Sequence, residues 1–187
     1  MTTRTQPVEC CAYTAAGRVY GYVNSSTGGS LTDHCNRPND SVLIIEQARM
    51  VQRGFDEPPR PAEVFTTAAQ CSLPKASILW LTSPRYRSAE VAPHRSVRFA
   101  FAFADHCLIG DFRVPSSIAP IDALQNMLEN KPFQSLQQVS LDIPVLGERL
   151  GENQPLREIE QVTINLAQVL NAWPFEASSR PYGRGSR

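Results

Sequence analysis

Residues 132–143 read PFQSLQQVSLDI, residues 155–166 read PLREIEQVTINL, and a shorter relative, VLIIEQARM, occupies residues 42–50. A phrase that recurs within one chain restricts it to folds in which one packing job is done more than once. In the two long copies Pro132/Pro155, Gln138/Gln161 and Val139/Val162 are identical, and most other positions match in kind. The apolar residues step by three and then by two: Leu136, Val139 and Leu141; Ile159, Val162 and Ile164; Ile45, Ala48 and Met50. A regular strand steps by two throughout. The shared extra residue therefore predicts a bulge or a turn at strand entry. Leu156, Ile159, Thr163, Leu166 and Leu170 also fit helical spacing. The β-favouring run Val162-Thr163-Ile164, and Pro144 closing the sister copy, favour a strand over 158–166, followed by a short helix over 167–173.

A second outline repeats farther apart. GRVYGYV (17–23) and HCLIGDF (106–112) both read as strands interrupted by a glycine. Each leads to a helix-like segment, SLTDHCN (30–36) or APIDALQNMLEN (119–130), with Ser30 and Pro120 suited to helix starts. Each then leads to a copy of the recurring phrase. SILWLTSPRYRSAEV (77–91) and SVRFAFAF (96–103) read as two further strands, joined as a hairpin near Pro93 and His94. Fifteen prolines leave little room for long helices. The expected fold is mainly β with short helices, built from two related small β-barrel or β-sheet units. The first unit spans 8–52. A Pro-rich linker with Pro58, Pro59 and Pro61 covers 53–65. The second unit spans 76–146, a closing element 147–175, and the Gly- and Arg-rich stretch 176–187 reads as a disordered tail.

The order apolar-x-Gly-x-apolar, spacer, Leu-x-Asp-x-x-Asn, spacer, apolar strand resembles small bacterial β-rich domains of unassigned function, here in duplicate. It also looks like an Sm-like barrel, in which GRVYGYV is a bent second strand. The resemblance covers about 8–52 and 96–143. Asn39 and Asp40 follow the second glycine later than in Sm-like domains, so no RNA-binding residue is carried over from it.

A chain of 187 residues fits one compact domain or two small ones. Its 18 basic and 18 acidic residues balance, which removes the simplest argument for a polyanionic partner. Neither a secretory leader nor a membrane-spanning run is legible, and the expectation is a cytoplasmic protein with no membrane partner. Five cysteines, an odd number with Cys10 and Cys11 adjacent, favour reduced thiols over a disulfide framework.

Chemical signatures are sparse. Asp-His-Cys occurs at 33–35 and at 105–107. His34, Cys35, His106 and Cys107 are thus the candidate zinc ligands, although no pair has the spacing that lets one turn clamp a metal. A Cys nucleophile paired with His34, His94 or His106 is the corresponding enzyme reading. No nucleophile elbow and no phosphate-cradling loop is present. Arg85, Tyr86, Arg87, Arg95 and Arg98 form a basic, aromatic-flanked cluster of the kind that holds a partner or a single nucleic-acid strand. The leading expectation is a non-enzymatic binding or scaffolding protein that needs no cofactor and engages a protein partner, or itself, through strand edges. A nucleic-acid-binding small barrel is the second reading, and a thiol- or zinc-dependent enzyme the third.

Overall fold

A computed structural model describes residues 5–26, 30–52, 55, 63–83, 94–143 and 155–175. The chain first forms strands β1 (Thr5–Thr14) and β2 (Gly17–Ser26), helix α1 (Leu31–Cys35), then β3 (Val42–Val51) and β4 (Val64–Pro74). A 3-10 turn over Lys75–Ser77 leads into β5 (Ile78–Thr82). The same order then recurs. Strands β6 (His94–Ala102) and β7 (Cys107–Pro115) precede helix α2 (Pro120–Asn130), β8 (Phe133–Asp142) and β9 (Arg157–Asn165). A second 3-10 turn, Leu166–Gln168, leads into β10 (Asn171–Pro174). The fold is mainly β with short helices, as the strand-like patterning and the prolines imply.

All the strands are antiparallel members of one sheet, in the order β10-β6-β7-β8-β9-β5-β1-β2-β3-β4. The sheet is open, so the barrel form of the expectation is corrected: the described strands build a single continuous sheet, not two closed units. Within each half the strands lie in the same relative order, fifth-first-second-third-fourth. The halves meet where β5 pairs with β9, through Trp80↔Ile164, Leu81↔Thr163 and Thr82↔Val162. The hairpin expected between SILWLT and SVRFAFAF does not form, because β5 sits between β1 and β9 while β6 pairs with β7 and β10. Residues 155–175 pair within the second half, β9 with β8 and β10 with β6. The helix expected over 167–173 is instead a 3-10 turn and a strand, with the Asn165 side chain accepting from the Ala167 amide at 3.2 Å. Most of the linker 53–65 and the whole tail 176–187 lie outside the described residues.

The irregular step in the recurring phrase has a direct structural cause in two of its three copies. Gln47 (φ 50°) and Gln138 (φ 48°) are the only non-glycine residues with positive φ among those described. Each begins a bulge. Tyr20 faces Arg49 and Tyr22 faces Glu46, so Gly21 alone opposes both Gln47 and Ala48. Ile109 faces Ser140 and Asp111 faces Gln137, so Gly110 alone opposes Gln138 and Val139. A left-handed first residue of this kind is usually glycine. Here glycine stands on the opposite strand, where the bulged backbone presses in. A Cβ on Gly21 would run into the Glu46 carbonyl oxygen and come within 2.5 Å of Ile45 Cγ2. A Cβ on Gly110 would lie 2.9 Å from Val139 Cγ2 and 3.1 Å from the Gln137 oxygen. The third copy, on β9, is plain strand: Gln161 pairs with Gln137 and the register does not shift.

Bulges bend and twist the strands that carry them, and the apolar residues beside them are buried. Ile45, Ala48, Leu136, Val139 and Leu141 are fully buried, as are Phe99, Phe101 and Phe112 in the second half. The three phenylalanines pack with ring centroids 5.7–5.8 Å apart. Among the described residues no helix is long and apolar enough to cross a membrane.

Gly21→Ala is expected to cost toward the top of the range for overpacking, about 1–3 kcal/mol, because the obstruction is backbone. Gly110→Ala costs less, because the Val139 methyl can shift. Gln47→Gly and Gln138→Gly relieve left-handed strain of about 1 kcal/mol and are neutral or stabilising. Urea denaturation of the four variants checks this ranking. Val139→Asp and Val162→Asp bury an unpaired charge and are expected to unfold the chain; retained cooperative melting would contradict that.

Candidate functional site

The joint between the halves is where long-range side-chain chemistry concentrates. Helix α1 is only five residues long, so it depends on its ends. The Ser30 hydroxyl accepts from the Asp33 amide at 2.9 Å, and the Asp33 carboxylate accepts from the Ser30 amide at 3.2 Å, closing a reciprocal cap. At the other end the Lys75 ammonium donates to the carbonyls of His34 (3.3 Å) and Arg37 (3.2 Å). A cation at a helix C-terminus satisfies orphan carbonyls there. The helix then reaches across the joint. The Asn36 amide donates to the Phe133 carbonyl at 2.7 Å and accepts from the Phe133 amide at 3.0 Å. Thr32 and Thr163 share a hydroxyl hydrogen bond at 2.8 Å. Asn165 donates to the carbonyls of Lys75 and Ile78, tying the start of β5 to the end of β9. Phe133 enters the core formed mainly by the first half.

Trp80, at the middle of β5, is fully buried and stacks on Tyr13 at 3.5 Å. Its indole N–H donates to His106 Nε2 at 2.9 Å. An imidazole nitrogen that accepts carries no proton, so the ring proton sits on Nδ1 and is donated to Asp105 Oδ1 at 2.8 Å. His106 also lies flat on Phe103, with centroids 4.7 Å apart. Arg157 donates to the Phe55 carbonyl at 2.9 Å and approaches the Tyr13 hydroxyl at 3.4 Å. The Arg18 guanidinium is buried, 3.6 Å from the Glu63 carboxylate and over the Tyr20 ring. This constellation locks the two hairpin turns onto the joint. His106 has both ring nitrogens engaged within the fold.

The four candidate zinc ligands fall in two separate places. His34 and Cys35 lie on α1; Cys107 opens β7 and His106 ends the turn before it. Among the described residues no group of three or more His, Cys, Asp or Glu side chains is placed to hold a metal. Burial, followed by the nearby Arg37 and Lys75 cations, lowers the His34 pKa. Burial pushes the Cys35 thiol up to about 12, against a smaller opposing pull from Lys75. Burial, then the Asp142 carboxylate, pushes Cys107 up to about 12 as well. Thiols held protonated at neutral pH are poor nucleophiles and poor zinc ligands. Of the basic cluster, Arg85, Tyr86 and Arg87 lie outside the described residues. Arg95 donates to the Ile118 carbonyl at 2.9 Å, and Arg98 bonds Asp111 across the strands at 3.2 Å.

The residues that sequence reasoning passed over are Asn36 and Trp80; it expected strand edges to bind without identifying β4 and β10 as the strands that form them. Trp80 sits in SILWLT, a run buried on both faces, which is the mark of a central strand. No family model matches the chain, and no curated protein or solved structure matches it.

Stability is expected to fall in alkali. A thiol whose folded pKa is raised from about 9 to about 12 contributes stability that is complete below pH 9 and is lost as pH rises toward 12. Each such thiol removes about 1.4 kcal/mol per pH unit in that window. The lowered pKa of Lys75, caused first by burial, acts in the opposite sense as that ammonium deprotonates. Urea midpoints at pH 7.5, 9 and 10.5 should fall for the native chain and flatten in Cys35→Ala and Cys107→Ala; an unchanged slope in both variants would contradict the assignment.

Proposed function

We propose that the chain is a non-enzymatic scaffolding protein that self-associates through the edges of its sheet. One observation carries this reading. The sheet contains a strand-to-strand joint at its centre and ends in two strands, β4 and β10, that are each paired on one side only among the described residues. An edge strand presents a row of backbone donors and acceptors that template another strand. The Lys75 amide donates to the Ser41 carbonyl, so by antiparallel alternation the N–H and C=O of Ser72 and Gln70 point away from β3. The Phe175 amide donates to the Arg98 carbonyl, and the same alternation turns Ala172 outward from β6. The buried, protonated thiols of Cys35 and Cys107 and the engaged ring of His106 support a structural role for the groups that an enzyme reading would use. Free thiols also suit a cytoplasmic setting.

Native mass spectrometry of the untagged chain, purified without chelators, tests this. A multimer free of metal and nucleic acid is expected at micromolar concentration. A bare monomer contradicts the reading, and a monomer carrying about one zinc or a nucleic-acid adduct favours the enzyme or nucleic-acid alternative.

A further inference from the structure

Resting on the scaffolding reading, we infer that the partner at both edges is a second copy of this chain, docked head to tail so that β10 of one copy pairs with β4 of the next in the register of the β5–β9 joint. The two halves provide the template. Aligning them on Gly21 and Gly110 carries Cys10 onto Phe99 and Tyr13 onto Ala102, through the registers of β1–β2 and β6–β7. Trp80 faces Tyr13, and Asn171 faces Ala102, so Trp80, Leu81 and Thr82 correspond to Asn171, Ala172 and Trp173. Aligning the bulges carries Ala48 onto Val139, hence Ala68 onto Ile159 and Leu73 onto Ile164. The internal pairs Trp80↔Ile164, Leu81↔Thr163 and Thr82↔Val162 then become Asn171↔Leu73, Ala172↔Ser72 and Trp173↔Cys71 between copies.

Two further features agree with this register. Ser72 and Ala172, the central pair, are the residues whose backbone groups already point outward from their own halves, so they face each other as a hydrogen-bonded pair. Burial also differs between counterparts in the sense that a missing neighbour produces. At the joint Phe133, on β8, is 3% exposed, while its counterpart Val42, on β3 beside the edge strand β4, is 36% exposed. Leu79, near the start of β5, is half-buried in the core, while its counterpart Leu170, just before β10, is 72% exposed. Ile121 and Leu128 are exposed on α2, the helix that corresponds to the joint-bridging α1. A contact of this kind joins different surfaces of identical chains, so each added copy leaves a fresh edge until a ring closes.

Cysteine cross-linking tests the register. Trp173→Cys is placed opposite the native Cys71 of a neighbouring copy, in a non-hydrogen-bonded pair whose Cα atoms approach to about 4.5 Å, within disulfide reach. Cys10, Cys11, Cys35 and Cys107 are buried. Mild oxidation is expected to give a ladder of disulfide-linked species extending beyond the dimer on a non-reducing gel, abolished by adding Cys71→Ser. Because Trp173 packs against the Ala100, Cys107 and Ile109 cluster, a second pair keeps it: Asn171→Cys with Leu73→Cys in a Cys71→Ser background should give the same ladder. Multimers by native mass spectrometry with no ladder from either pair would overturn the head-to-tail register and leave scaffolding standing. So would dimers that form through Cys71 without a cysteine at 173. A monomer overturns both.

Discussion

The close approach of a bulged backbone to a glycine is the constraint on which the rest of the structure depends. At Gly21 and again at Gly110 two residues of the third strand press onto one residue of the second, and only a residue without a Cβ leaves room. The bulge resets the side-chain alternation, so that Ile45 and Ala48, or Leu136 and Val139, both enter the core. Without it, a strict period of two would turn one member of each pair toward the opposite face. The two outlines that recur in the sequence, the glycine-interrupted strand and the phrase stepping by three and then two, are the two sides of this one contact. Each side of the contact requires the other, so the two outlines recur together.

The joint between the halves follows from the same repetition. Each half offers a fourth strand on one side and a fifth on the other, and inside the chain one such pair is satisfied by β9 and β5. Side chains then make that pairing specific. Asn36 reads both backbone groups of Phe133, and Trp80 is held by His106 and Tyr13. Buried polar groups of this kind are costly if unpaired, so they favour this arrangement over a slipped register. The outer strands carry no such satisfaction among the described residues, and the contrast between Phe133 and Val42 measures what the joint covers.

Much of the local structure was legible. The shared irregular step announced the bulges, Ser30 and Pro120 marked the helix starts, and Val162-Thr163-Ile164 identified a strand where helical spacing competed. What was not legible depends on distant partners. SILWLT reads as half of a hairpin because sequence neighbours usually pair, whereas its apolar character on both faces reflects a position between β1 and β9. The copy at 155–166 shares the phrase but not the bulge, because it faces β8 and β5 and no glycine opposes it. AQVLNAW looked helical, yet the Asn165 cap turns the chain after three residues and β10 pairs with β6. Of the candidate site, Cys35, Cys107 and His106 stand out in the sequence for their chemistry, whereas the fold buries the two thiols and sets His106 against Trp80. Asn36 carried no signal, since an asparagine after a short helix reads as an ordinary cap.

The most direct measurement of the central claim, that the sheet edges repeat the internal joint, is residue-resolved amide hydrogen exchange of the full chain at high and low protein concentration. If the edges are paired, the outward amides of Ser72 and Ala172 exchange slowly at high concentration, comparably to Leu81 in the internal joint, and speed up on dilution. Fast exchange of both amides at every concentration, beside a protected Leu81, would contradict it.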